Sequence, residues 1–244
     1  MTKQERLQKV IAASGFTSRR KAEQLIIDKR VKVNDVVVDK LGSTVSSDDI
    51  IKVDNKLIVK EEKVYYIVNK PENVLSSVSD DRGRKVVVDL IKDKRRIYPV
   101  GRLDYDTTGL LMLSNDGDFT NAMIHPSFEI NKTYEVIVDQ FVTQTMINKL
   151  SKGVFLDGEK TLPAKVIVDY FDKSKQISKV TITIREGKNR QVKRMFEEIG
   201  CKVLKLHRSK VAFMTLEDLK LGDYRKLTVS EVNKLMNTAK TGEK

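Results

Sequence analysis

The sequence predicts an α+β chain: a small α-α-β module, then a larger unit built on a mixed, mainly antiparallel sheet. Three observations carry this. Alternating apolar patterns of strand type outnumber helical periods and are not strictly interleaved with them, which disfavours a doubly wound parallel sheet. A short polar joint, Lys60-Glu61-Glu62-Lys63, divides residues 1–60 from residues 61–237. One cysteine, Cys201, and two histidines supply neither a disulfide framework nor a zinc set, so each unit must rest on a packed core, for which 244 residues suffice.

The module opens with a helical period over residues 4–13, with Leu7, Val10 and Ile11 on one face. Ser18 suits the N-cap of a second helix, whose inward positions are Ala22, Leu25 and Ile26. Residues 31–38 then alternate around Asn34-Asp35, as a hairpin does. Residues 1–33 hold nine Lys/Arg against three acids. Arg19, Arg20 and Lys21 crowd the start of the second helix, where the macrodipole disfavours cations. A solvated surface face would also be basic, but clustering on one short unit is what RNA docking requires. In order, Arg6-Leu7, Gly15-Phe16-Thr17-Ser18-Arg19-Arg20-Lys21-Ala22-Glu23 and Arg30-Val31-Lys32-Val33-Asn34 resemble the RNA-binding module of ribosomal protein S-four. That family often has a glycine where this chain has Lys29. The resemblance implies RNA contacts from Arg19, Arg20, Lys21 and Arg30.

In the larger unit, strand patterns run over residues 64–68, 110–113, 132–139, 164–171 and 177–185, and helical periods over 143–152, 189–199 and 228–237. Residues 238–244 read as a frayed, disordered tail. On the 189–199 helix the apolar stripe is Val192, Met195, Phe196 and Ile199. Arg190 and Arg194 fall opposite it and Lys193 on its flank. Residues 185–210 repeat the basic excess, again nine Lys/Arg against three acids. Beside the basic module, this reads as a second phosphate-gripping surface.

The chain is 33% charged with a formal net charge of +12, an excess that calls for a polyanion or an anionic membrane. No run approaches the roughly 20 apolar residues that span a bilayer, and residues 1–10 hold no signal-like apolar core. The expectation is a cytoplasmic monomer that binds nucleic acid, uses no metal and has no membrane partner.

Residues 101–117 carry the chemistry. The apolar run Leu110–Leu113 reads as a buried strand ended by a turn at Asn115-Asp116-Gly117. Ahead of it, Arg102, Asp104, Asp106, Thr107 and Thr108 share a loop bracketed by Gly101 and Gly109, which leave room for tight geometry or a ligand's close approach. Acids on a loop beside a rigid strand are a common way to build a catalytic site. Asp104-x-Asp106-x-Thr108-Gly109 begins like a calcium loop, but the twelfth position, which needs Glu, is Asn115. The same string resembles the haloacid-dehalogenase-type phosphotransferases, whose aspartate ends a hydrophobic strand; here Gly101-Arg102-Leu103 precedes it.

The third reading is a family resemblance. Gly101-Arg102-Leu103-Asp104, with Thr107 and Gly109-Leu110-Leu111, resembles the central motif of the RNA pseudouridine synthases, in the ribosomal RsuA/RluB branch. Asn69-Lys70-Pro71, Asn131-Lys132-Thr133-Tyr134, Glu186-Gly187-Lys188-Asn189-Arg190-Gln191-Val192-Lys193-Arg194-Met195 and Leu204-Lys205-Leu206-His207-Arg208 fall in the family's order. The resemblance implies a cofactor-free isomerase converting a uridine of ribosomal RNA, 23S in preference to 16S, free or in an assembling subunit. It implies Asp104 as the catalytic carboxylate and Lys193, with Lys188 second, as the cation favouring its ionised form. The resemblance also implies Tyr134 as a catalytic residue that stacks on the base and helps with its proton, with Leu206 packing beneath the ring and Arg102 holding the nucleotide. Arg190 and Arg194 belong to the phosphate-gripping face. Asp106 and Thr108 read as groups tying the loop together. The competing classes are a magnesium-dependent D-x-D-x-T phosphatase and a non-catalytic RNA-binding assembly factor.

Overall fold

A computed structural model of the chain describes residues 4–241. They form two compact units. One holds the chain up to Val64 together with Asp93–Ile97 and Asn115–Gly117; the other holds Tyr65–Lys92, Tyr98–Ser114 and the chain from Asp118 onward. The polar joint is tied down within the first unit. Asn115 accepts a hydrogen bond from the Val64 N–H at 2.9 Å and donates one to the Glu62 carbonyl at 3.0 Å.

In the first unit, α1 (Leu7–Ala13) and α2 (Arg19–Ile27) share a core with a four-stranded antiparallel sheet ordered Val36–Val37, Val31–Val33, Ile51–Val53, Lys56–Leu57. Leu7, Ile11, Ala22, Ile26, Val31 and Val53 fill that core. The first helix starts later than its periodicity suggests, because Glu5–Arg6 pair as a short strand with Thr44–Val45. Ser18 caps α2 as expected, its hydroxyl accepting from the Lys21 N–H at 3.3 Å. Asn34 and Asp35 both take positive φ, 51° and 65°, which a two-residue hairpin turn requires. At the far end of α2, Lys29 sits at φ 59° while the Arg30 N–H reaches back to the Leu25 carbonyl at 3.0 Å. This is the left-handed helix ending that glycine usually supplies.

The second unit is a nine-stranded sheet flanked by helices. Its main path runs Lys165–Asp172, Ile177–Ile184, Lys132–Val138, Val203–Val211, Thr108–Ser114, Tyr65–Lys70, Tyr224–Lys226. Every junction on this path is antiparallel except that between Thr108–Ser114 and Val203–Val211. At that junction the close approach anticipated for Gly109 is to the neighbouring strand: a Cβ there would lie 2.3 Å from the Arg208 carbonyl oxygen, at φ 112°. The outer Ile177–Ile184 strand alternates half-buried and buried residues, whereas the central Thr108–Ser114 strand is buried almost throughout.

α3 (Gly117–Ile124) begins where only a turn was expected, and packs Phe119, Ala122 and Met123 against Ile67, Leu110 and Met112. α4 (Gln144–Lys152) and α5 (Gln191–Glu198) follow their predicted periods. α6 (Val229–Thr241) corrects the predicted tail. Residues 238–241 are helical, Ala239 is buried in the core, and the Thr238 hydroxyl donates to the Lys234 carbonyl at 3.0 Å. The last three residues of that tail lie outside the described residues. No helix among the described residues is long and apolar enough to cross a membrane.

Candidate active site

The loop before the Thr108–Ser114 strand is clamped by the segment that follows Tyr65–Lys70. The Ser76 hydroxyl accepts from the Leu103 N–H at 3.0 Å and donates to the Leu103 carbonyl at 2.8 Å. The Tyr105 carbonyl accepts from the Asn73 N–H at 2.9 Å and, at 3.5 Å, from the Lys70 ammonium. That ammonium is wholly buried and also donates to the Pro71 and Val74 carbonyls, at 2.9 and 2.8 Å. Burial pushes Lys70 down to about 8, against the upward pull of the Asp106 and Asp104 carboxylates. Asp104 therefore sits on backbone held at both neighbouring residues, so little reorganisation is left for any reaction it takes part in.

The Asp104 carboxylate is one-third exposed and faces the Lys193 ammonium at 3.6 Å. Lys193 itself is buried. It makes a closer contact, 2.5 Å, with Asp106, whose carboxyl it holds below the usual carboxylate range. Asp106 is thus no mere loop tie, since its partner lies 87 residues away. Thr108 likewise reaches off the loop, to His207 Nδ1 at 2.8 Å. One ammonium serves both acids, and Asp104 has the looser share.

Asp104, Tyr134 and Leu206 line the same cleft. The Arg208 guanidinium lies 6.0 Å from the Tyr134 ring centroid and is fixed by a 2.7 Å hydrogen bond from its Nε to the Leu110 carbonyl. Lys132, also on the cleft wall, is pushed down to about 8 by burial and by the Arg208 charge. Thr107 contributes a buried hydroxyl that has no hydrogen-bond partner among the described residues. Arg102 and Arg190 are exposed and line the cleft. The left-handed backbone of Arg190, φ 47°, begins α5, and the Gln191 side chain ties the preceding turn by accepting from the Lys188 N–H at 2.9 Å. The cleft thus gathers an aromatic ring, an aliphatic side chain, a carboxylate and several cations.

Residues 64–198 match the family model described as RNA pseudouridylate synthase. The chain belongs to that family. Residues 5–51 match the S4 domain. Over 240 residues the chain is 50% identical to the ribosomal large subunit pseudouridine synthase B of Bacillus subtilis, covering 98% of each chain. It is 35% identical to the dual-specificity RNA pseudouridine synthase RluF of Escherichia coli, covering 93% of this chain and 77% of that one. A pseudouridylate synthase crystal structure superposes with a TM-score of 0.67 at 34% identity, over 94% of this chain and 99% of the other. The α+β fold with its mostly antiparallel sheet is the one expected of a pseudouridine synthase, and the chain is an isomerase.

Several cations are placed differently from their sequence reading. Lys188 lines the cleft, but its ammonium lies 2.7 Å from Glu159, and the ammonium facing Asp104 is that of Lys193. Arg194 lies 2.6 Å from Asp157 and is not among the cleft residues. Arg30 makes a two-pronged contact with Asp54, 2.7 and 2.6 Å, inside the module. Arg19, Arg20 and Lys21 are exposed and make no ion pair among the described residues. Lys70, Lys132, Thr107 and Arg208 had no individual role in the sequence reading. Each does stand in a segment that carries the family resemblance: Asn69-Lys70-Pro71, Asn131-Lys132-Thr133-Tyr134, the Asp104 motif with Thr107, and Leu204-Lys205-Leu206-His207-Arg208.

Proposed function

We propose that the chain isomerises a uridine of 23S ribosomal RNA to pseudouridine, with Asp104 as the catalytic carboxylate and no cofactor. The reading rests on one observation above all: a partly exposed carboxylate, on an immobilised loop, opens into a cleft lined by Tyr134 and Leu206 with a buried ammonium behind it. The large-subunit target is supported by the Bacillus subtilis relative, a ribosomal large subunit pseudouridine synthase.

The reaction breaks the C1′–N1 glycosidic bond, turns the uracil and joins C1′ to C5; N1 gains a proton and C5 loses one. No atom enters or leaves overall, so the protein must supply only a nucleophile or base, a confined space for the base to turn, and cations for the RNA. The target base leaves its stack at a cost of a few kcal/mol (roughly), offset by stacking on Tyr134 and by phosphate contacts. Leu206 forms the floor under the ring, Lys193 stabilises charge on Asp104, and Arg102 and Arg190 hold the flanking RNA. Mapping pseudouridines in 23S and 16S RNA, from cells with and without the protein, tests this. One 23S site should vanish and should not return with Asp104→Asn. Unchanged maps, or rescue by Asp104→Asn, would overturn the reading, and a missing 16S site would move the target to the small subunit.

A further inference from the structure

Beyond the Lys132 and Val211 ends of two cleft strands, the chain lines a second groove. Lys132 and Val211 are paired across the sheet and line the cleft, whereas their neighbours Asn131, Lys210 and Ala212 line the second groove. Two further lysines, Lys234 and Lys240, reach that groove from α6. The Lys234 ammonium sits 4.4 Å above the Phe213 ring, a contact that holds the cation in place and leaves its charge uncancelled. Lys210, Lys234 and Lys240 make no ion pair among the described residues. The acid that lines the groove, Glu129, lies 2.8 Å from Arg185. The groove is therefore a cationic trough whose lining adjoins that of the cleft in sequence.

We propose that this groove holds the phosphodiester backbone of the RNA strand that carries the target nucleotide. Charge selects the ligand: three unneutralised ammonium groups and a carboxylate already satisfied suit consecutive phosphates and not an acid-bearing or apolar segment. Continuity selects the place, since a strand whose nucleotide enters the cleft must leave over an edge of it. The continuity argument rests on the cleft being the uridine site; the charge argument does not.

The test is RNA affinity of the full chain against salt, using labelled overlapping transcripts that cover 23S RNA. Each lysine that meets a phosphate of a single strand contributes about 0.7 to the slope of log K against log salt. The triple variant Lys210→Gln, Lys234→Gln, Lys240→Gln should flatten that slope by about 2 and weaken binding at least roughly tenfold at low salt. The single Lys240→Gln, at the end of α6, should flatten it by about 0.7, and serves if the triple variant melts early. An unchanged slope in a folded variant overturns the proposal, including the case in which the groove serves an acidic protein instead. Pseudouridine mapping separates the two failures. A flattened slope without modification keeps the groove and sinks the catalytic reading; modification with an unchanged slope sinks the groove alone.

Discussion

α2 and α5 each carry a cluster of cations, and their surroundings could hardly differ more. On α2, Arg19, Arg20 and Lys21 stand exposed in the first turn with no acid in that turn and no ion pair among the described residues. Around α5 three cations are engaged and Arg190 is left exposed. Lys193 is buried between Asp106 and Asp104, Arg194 is held by Asp157, and Lys188 by Glu159 on the same hairpin as Asp157. A cation available to RNA and a cation consumed by its own protein make different contributions to binding. Counterion release follows only the former. Charge density near the cleft is therefore a poor guide to which cations stand unpaired, while the first turn of α2 keeps its charge uncancelled among the described residues.

The largest effect should come from the buried member of the α5 set. Lys193→Met removes the ammonium shared by two carboxylates, and the rate of pseudouridine formation should fall about 100-fold or more, as when a preorganised charge is lost from an active site. RNA affinity should barely move, because this ammonium faces carboxylates. Lys193→Arg should recover part of the rate, since it restores the charge with a different shape. Equal losses of affinity and rate would mean that Lys193 grips phosphate, and the contrast between the helices would break.

Next in size is the contrast itself. Replacing Arg19, Arg20 and Lys21 by glutamine should lower the salt slope of RNA binding by about 2, with a loss of affinity near tenfold at moderate salt. Replacing Lys188 and Arg194 by glutamine should leave the slope almost unchanged. Similar slopes for the two variants would show that the carboxylates at Asp157 and Glu159 release their partners when RNA arrives.

A smaller effect separates cations by chemistry. Lys132 has its pKa pushed down to about 8, so it is charged below that pH and neutral above it. Its share of RNA affinity should be present at neutral pH and lost as pH rises through about 8, a few-fold between about pH 7 and 9. The module's arginines keep their charge throughout that range. Affinity measured against pH should therefore decline in the wild type and stay flat in Lys132→Arg. A wild-type profile that is already flat would remove Lys132 from the RNA-binding surface.

These contrasts also show what a linear chain makes legible. The strands over 132–139, 164–171 and 177–185 were readable because one face of each is more buried than the other, and alternation records that. α5 was readable for the same reason at helical period. The motif around Asp104 marked a loop that opens into the cleft, which Asp104, Tyr134 and Leu206 line together. Pairing was not legible. Whether Arg194 is free depends on Asp157, 37 residues earlier, and Asp106 meets Lys193 over 87 residues. α3 escaped notice because it begins at Gly117, inside the Asn115-Asp116-Gly117 turn signal that ends the preceding strand. Burial of Ala239 by the core, which keeps α6 helical to Thr241, is likewise a tertiary effect that a polar C-terminal composition hides.

The smallest predicted effect returns to α2, at its other end. Lys29 occupies a left-handed backbone position, which costs a residue with a Cβ about 1–2 kcal/mol. Glycine would relieve that strain but adds freedom to the unfolded chain, roughly 0.5–1 kcal/mol in the opposite direction. Lys29→Gly should therefore stabilise the module slightly, by about 0.5 kcal/mol, seen as a small rise in its melting temperature. The change also deletes a cation, which makes it a probe of the same comparison. Lys29 lies 3.7 Å from Asp39 in an exposed pair, so it belongs with the paired cations and not with Arg19, Arg20 and Lys21. RNA affinity and its salt slope should be unchanged in the glycine variant. A slope that falls by about 0.7 to 0.9 would place Lys29 on the RNA side of the module, and would mean that exposed ion pairs here open for phosphate.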